Sequence, residues 1–555
     1  MQNPVRFSSC RGVAFEIKPH ADPFALSTQN NNQDDPKGSG WLSWFQAGGN
    51  SSKIFPSTVN RSMSRVSSHF CDLDHEEDDS PEEEEEEVDG IISLKTLEEG
   101  KVEEHPLKMA SKREQPPKMA ARKQESGRLS VILLDQGLFT VYKRLFVVSL
   151  TLNIVCLVLA ATGNFAYAKN RASLFAIANI LALTVCRSEA FLRVVFWLAV
   201  KVLGRSWIPL PIKTGTTALL QSLGGIHSGC GVSSIIWLVY SIILTLSDRE
   251  NTSSAIIAVA SAILSLLFLS ALAAFPLVRH LHHNIFERTH RFAGWTALAL
   301  LWAFVFLTIS YDPKTKSYSS ELGSRLIRQQ EFWFTIAITI FIIIPWITVR
   351  RVPVKISSPS GHASIIKFEG GVKPGILGRI SPSPLSEWHA FGIISDGKDE
   401  HMMLAGAVGD FTKSLVANKP SHLWVRQVHF AGLPYLVNMY DRVLLVATGS
   451  GICVFLSFLL QPCRASVCVL WVAKGIEQNF GNEIKEMMSG HPKDKVIVHD
   501  TAVLGRPNVS QMSIDTAKNW GAEVVIVTSN PEGSRDVVNA CKGAGISAFG
   551  PIWDS

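Results

Sequence analysis

The stretch from Asp441 to Phe455, DRVLLVATGSGICVF, has the residue types and order of a nucleotide turn. An apolar run, Val443 to Val446, leads into Thr448, Gly449, Ser450 and Gly451, and a second apolar run follows. A buried parallel strand turning sharply into a helix reads this way. Glycines there let the backbone approach phosphate, and the helix dipole favours an anion. Alone the signal is weak, because such turns are common in open α/β sheets. Histidines form a second group. His227 lies inside a long apolar run, where an ionisable side chain points to function. His290 closes the segment RHLHHNIFERTH, which starts at Arg279. Imidazoles at membrane helices can ligate haem iron, quinones or metals, or sit as polar groups among lipid headgroups.

These residues must be carried by more than one domain, since 555 residues exceed a single ordinary core. The net charge of +5 is unremarkable, but acidic residues crowd into His75 to Asp89. Nine scattered cysteines without a CxxC pair predict reduced thiols and no structural zinc. No basic face interleaved with aromatics suggests nucleic-acid binding. Residues 1–128 are polar and charged without apolar periodicity, which predicts disorder, and the run Glu82 to Glu87 reads as a solvated acidic tail. The first residues lack the apolar core of a secretory signal.

From Leu145 the composition becomes that of a membrane domain spanning about 140–350. A spanning helix needs about 20 predominantly apolar residues. Six candidates follow: Leu145 to Thr162, Ala172 to Val185, Thr216 to Leu246, Ser253 to Val278, Phe292 to Ser310 and Phe332 to Val349. Phe191 to Val202 reads as an amphipathic interfacial segment with Arg193 and Lys201 snorkelling. Basic residues in the short loops favour cytosolic N- and C-termini, in the plasma membrane or an endomembrane.

After Arg351 polar residues return. Short alternating segments over 351–440 predict a small antiparallel β-barrel. Over 441–555 strands at Val443 to Val446, Ala465 to Val472, Lys495 to His499 and Glu523 to Thr528 alternate with helical segments. That pattern predicts a doubly wound α/β domain with its ligand at the carboxyl ends of the strands.

Several motifs then recur in order. Leu385 to Gly392 (LSEWHAFG) resembles the flavin segment LEWHPFT, Val408 to Thr412 resembles VGDWT, and the opening stretch resembles VGAGIGVTPF. Gly505 to Asn508 matches GRPN, Asn530-Pro531-Glu532 stands where CGPE is expected, and Val185-Cys186-Arg187 matches the end of a second span. Over about residues 140–555 the chain resembles the ferric reductase and NADPH oxidase superfamily of membrane flavoproteins, with TmpA-type membrane proteins nearest. The resemblance implies a ferredoxin-reductase-like module binding FAD and NADPH or NADH. It places His389 and Phe391 against the isoalloxazine, with Ala390 beside them and Gly392 where a hydroxyl normally bonds the flavin. Thr448, Gly449, Ser450 and Gly451 would face the nicotinamide pyrophosphate and Arg506 the adenosine end. Ser529 falls at the position of a hydride-positioning cysteine, and Trp553 would cover the flavin. The chain departs from the pattern at Ala390, Gly392, Cys453-Val454 and Ser529.

The family's haems use two histidines in each of the third and fifth spans. Here Lys213 stands 14 residues before His227 and Ala303 stands 13 after His290. Read on the expected spans, the two histidines belong to opposite leaflets, roughly 20 Å apart. The expectation is therefore no paired haems, with His227 and His290 as weak candidates. The chain is expected to be an integral membrane oxidoreductase carrying electrons from NAD(P)H through FAD to a small or lipophilic acceptor. The alternative is a non-catalytic, membrane-anchored scaffold or nucleotide sensor.

Overall fold

The computed structural model describes residues 7–10, 13–16, 140–275, 278, 283–319 and 322–552. Apart from a short antiparallel hairpin (Phe7–Cys10 with Val13–Glu16), the expectations for 1–128 lie outside the described residues, as do those for Trp553, His280 and His282.

Helices make up most of the described residues from Val141 to Ile347. They are α1 (Val141–Ala161), α2 (Ala172–Val185), α3 (Glu189–Leu203), α4 (Leu210–Gln221), α5 (Gly224–Ser247), α6 (Ser254–Ala273), α7 (His283–Ser310) and α8 (Gln330–Ile347). Five of these are long and apolar enough to cross a membrane, and a sixth span results if α2 and α3, bent by 66°, count as one. Their outer faces stay apolar: Val147, Leu152, Phe268 and Ile340 are all exposed.

The expected third span, Thr216 to Leu246, is instead two helices. Apolar residues run through the break, so composition does not reveal it. Gly224 and Gly225 are poor helix formers, and Leu220 packs into the core of the sheet domain rather than the bundle. Glycine has a further role at the start of α5. A Cβ on Gly225 would lie 2.1 Å from the Tyr142 carbonyl oxygen and one on Gly229 would lie 2.9 Å from the Ser149 Cβ. Residues four apart share a helix face, so this glycine pair lets α1 and α5 approach closely.

The amphipathic segment is α3. It docks on the following domains: Phe196 is buried in their core and Arg193 Nη1 donates to the His429 carbonyl at 2.8 Å. Ser188 caps α3, its hydroxyl accepting from the Phe191 N–H. Glu189 in the first turn then binds both Arg379 and Arg426, the latter at 3.3 Å.

The expected barrel is present as two antiparallel sheets. One is ordered β6-β7-β3-β2, with β2 (Lys355–Ser360), β3 (Ala363–Glu369), β6 (Ile394–Ser395) and β7 (Glu400–Gly406). The other is ordered β9-β4-β8-β1, with β1 (Val349–Pro353), β4 (Ile376–Ser381), β8 (His422–Arg426) and β9 (Phe430–Ala431); β5 (His389–Gly392) also pairs with β4. A helix, α9 (Asp410–Asn418), follows β7.

The last domain is a five-stranded parallel sheet ordered β12-β11-β10-β13-β14. Its strands are β10 (Arg442–Thr448), β11 (Ser466–Ala473), β12 (Val496–Asp500), β13 (Val524–Thr528) and β14 (Ser547–Phe549). Helices α10 (Ile476–Glu486), α11 (Val509–Trp520) and α12 (Pro531–Gly543) connect them. Val443 to Ala447 are wholly buried, as expected of a central parallel strand covered on both faces. The order reverses at β10, so a topological switch point lies between β10 and β13.

Candidate functional site

The switch point is built by two strand ends. β10 finishes at Thr448 and β13 at Thr528, and the next residue, Ser529, meets Thr448 through a buried hydroxyl pair with oxygens 2.7 Å apart. Gly449 then turns the chain at φ +51°, a conformation that favours glycine. The Trp471 indole N–H holds that turn by donating to the Gly449 carbonyl at 2.8 Å. Beyond Ser529, the Asn530 side chain caps α12 by accepting from the Gly533 N–H at 2.7 Å. Pro531 occupies the first turn, where its missing N–H costs nothing. The Ser534 hydroxyl accepts from the Ser529 N–H and donates to the Ser529 carbonyl, closing the corner.

The expected phosphate turn does not face open space. Gly449 to Val454 is a buried 3-10 segment, with Ser450 only 1% exposed. A Cβ on Gly406 in β7 would lie 2.9 Å from the Ser450 hydroxyl. Cys453 in the same segment is buried, and that burial pushes its thiol up to about 12.

The expected flavin seat is also filled by the protein. Phe391 is wholly buried in the barrel core and presents no face to a ring system. Gly392, read as a lost flavin hydroxyl, is a close approach: a Cβ there would lie 2.5 Å from Val454 Cγ1 and 2.8 Å from its backbone. The His389 imidazole stacks on Phe411, centroids 4.4 Å apart and planes 7° off parallel. Ala390 is half-buried in the same strand. The residues at this seat do not fit an isoalloxazine. Arg506 lies in an exposed loop after β12. Asp500, at the end of that strand, has its carboxylate engaged by the N–H groups of Gly475, Ile476 and Ala502. Burial raises its pKa, and these donors outweigh that and hold it below the ordinary value.

What the edge opens onto is a cavity of about 1820 Å³ between the sheet domain and the bundle. Asn530, Pro531 and Glu532 form one wall with the segment from Ala548 to Ile552, and Gln221 ties that segment to α4 by donating to the Gly550 carbonyl at 3.1 Å. The opposite wall carries His227 and His290, whose ring centroids are 6.3 Å apart. The expected separation of roughly 20 Å is therefore wrong. Because α5 begins at Gly224, His227 lies in its first turn, as His290 lies early in α7, and both face the same end of the bundle. The His227 Nδ1 is 3.0 Å from the Leu183 carbonyl oxygen. Among the described residues no group of three or more His, Cys, Asp or Glu could hold a metal ion. Nothing in the sequence signalled this cavity, since its walls come from eight helices and the segment from Ala548 to Ile552.

Comparison with known proteins adds the chemical context. The family described as adenylate-forming reductase 03009, C-terminal domain, matches residues 433–555. Two Coprinopsis cinerea proteins, adenylate-forming reductase 03009 and adenylate-forming reductase 06235, are each 35% identical to this chain, over 429 and 437 residues. Each match covers 76% of this chain and 41% of the relative, so the chain spans well under half of their length. The matched share exceeds the part lying outside the helices, so the similarity reaches into the bundle. Among solved structures, phthalate dioxygenase reductase is similar with TM-score 0.29 and 12% identity, over 37% of this chain and 69% of that one. Ferredoxin-NADP+ reductase from Plasmodium falciparum is similar with TM-score 0.28 and 11% identity, over 36% and 94%. Both likenesses are too slight to bear on the chemistry.

The relatives overturn the expected function. They are adenylate-forming reductases rather than membrane ferric reductases, so the expected path from NAD(P)H through FAD to an acceptor in the bilayer does not stand.

Proposed function

We propose that this chain is a nicotinamide-dependent reductase for a carboxyl group activated as its adenylate, the activation being carried out elsewhere. The observation that carries the reading is the meeting of the sheet's switch point with the large cavity at Asn530 to Glu532. The names of the two relatives supply the reaction class. When bound, a reduced nicotinamide supplies the hydride that takes the acyl adenylate's carbonyl carbon to an aldehyde as the bond to phosphate oxygen breaks and AMP leaves.

The chain's own residues do the holding. The Thr448–Ser529 hydroxyl pair fixes the two strand ends that lead into Asn530 at the cavity wall. The N-terminus of α12 turns its dipole toward the cavity, where it favours the departing phosphate. The apolar outer faces of the helices support placement in a membrane, with the sheet domain and both termini on the cytosolic side.

The test is nucleotide binding to the purified chain, followed by energy transfer from tryptophan to bound NADPH or NADH. Saturable binding that weakens in Thr448→Val supports the reading, and no binding of either nucleotide contradicts it.

A further inference from the structure

The cavity has a polarity of its own. At the end nearest the sheet domain the described lining holds the cations Lys143, Arg187, Arg535 and Lys542 against one carboxylate of the lining, Glu532, while Arg291 of the same lining is paired with Glu287. Away from that end the walls become aliphatic, through Ile180 of α2, Ile235 of α5, Leu267 of α6, Leu298 and Leu301 of α7, and Ile338 of α8. From His290 to Leu301 the lining descends α7 by eleven residues, which is ~16 Å at 1.5 Å per residue. One ligand can therefore touch the basic end and the aliphatic end together.

Two glycines keep this space open. A Cβ added to Gly231 of α5 or Gly294 of α7 would meet nothing within 4 Å, and both residues line the cavity. They contrast with Gly225 and Gly229 on the same α5, which are pressed against α1. Helix interiors disfavour glycine, so its presence where no neighbour requires it leaves room rather than packing.

We propose that this cavity binds an anionic amphiphile, with its acyl or other apolar tail between α2, α5, α6, α7 and α8 and its anionic head at the basic end beside α12. Resting on the proposed function, this assigns the substrate as a lipophilic acyl group, presented as its adenylate, whose carbonyl lies where tail meets head. Charge-assisted contacts from the guanidinium and ammonium groups recognise the head, and aliphatic contact holds the tail.

The experiment is equilibrium binding of radiolabelled dodecanoic acid and dodecanoyl adenylate to the full chain exchanged into amphipol, with dodecanol and phosphatidylglycerol as competitors. Saturable binding is expected, with the adenylate competing better than phosphatidylglycerol. Gly294→Leu and Gly231→Leu are expected to fold, since leucine favours helix and its Cβ meets open space, yet to lose binding by filling the cavity. Arg187→Gln and Arg535→Gln are each expected to weaken the acid about tenfold and leave dodecanol unchanged. No saturable binding by the wild type, or unchanged binding in Gly294→Leu, overturns the assignment. Stronger competition by phosphatidylglycerol identifies a bilayer lipid as the occupant and overturns the substrate assignment, as does a bis-imidazole haem spectrum in the purified chain. NADPH titration run alongside separates the two readings. Nucleotide binding without amphiphile binding sinks this inference alone, and amphiphile binding without nucleotide binding sinks the proposed function.

Discussion

His227 and His290, 63 residues apart in sequence, lie side by side in the cavity lining with ring centroids 6.3 Å apart. Their proximity follows from the helix break before Gly224, which puts His227 at the entry of α5. With Cys230 replaced by serine, the pair His227→Cys and His290→Cys should crosslink with dibromobimane. Absence of crosslinking in the folded chain would show that the two helices are not aligned at this end.

Replacing Thr448 by valine removes one member of a buried hydroxyl pair and leaves Ser529 with a lost partner. The expected cost is about 1–3 kcal/mol, read as a lowered denaturation midpoint. An unchanged midpoint would mean the pair contributes nothing to the switch-point corner.

Gly392→Ser tests whether the barrel seat is closed. The added side chain has to displace Val454, whose backbone cannot yield cheaply, so a loss of about 1–3 kcal/mol is expected. The variant should bind no flavin. Gain of a flavin spectrum on supplementation would show that the seat opens and that a hydroxyl was all it lacked.

Glu189 bridges Arg379 and Arg426 and so joins α3 to the barrel. All three side chains are largely covered, unlike the exposed arginine of the Arg288–Glu387 pair. Glu189→Gln strands two guanidiniums and should cost about 3 kcal/mol, seen as faster proteolysis between the bundle and the barrel. Glu387→Gln should cost under about 1 kcal/mol.

Acid should weaken the barrel before it touches most carboxylates. Burial, then the neighbouring His401 and Arg193, holds His429 down to about 4 from its ordinary 6.5, and burial also lowers His401. Between those values the unfolded chain binds protons that the folded chain refuses, so stability falls as pH drops from 6.5 toward 4. His429→Gln should flatten that part of a pH–stability curve recorded by urea denaturation.

The sheet domain was legible because buried parallel strands leave continuous apolar runs, such as Val443 to Val446 and Ala465 to Val472. Only β14 escaped, being three residues long with no run to mark it. The barrel was legible from alternation. At the site, however, motif position misled. Phe391 and Gly392 keep the places of flavin contacts while burial and Val454 deny them that use, and the Gly449 turn keeps its shape under a covering strand. The cavity was not legible at all, because a void is a property of how helices pack and no residue run encodes it.

The central claim is hydride transfer to an activated acyl group, and single-turnover mixing of the purified chain with NADPH or NADH and dodecanoyl adenylate tests it directly. The account predicts loss of reduced-nicotinamide absorbance matched by equal amounts of dodecanal and AMP. Reduced nicotinamide left unconsumed with the adenylate bound would contradict it.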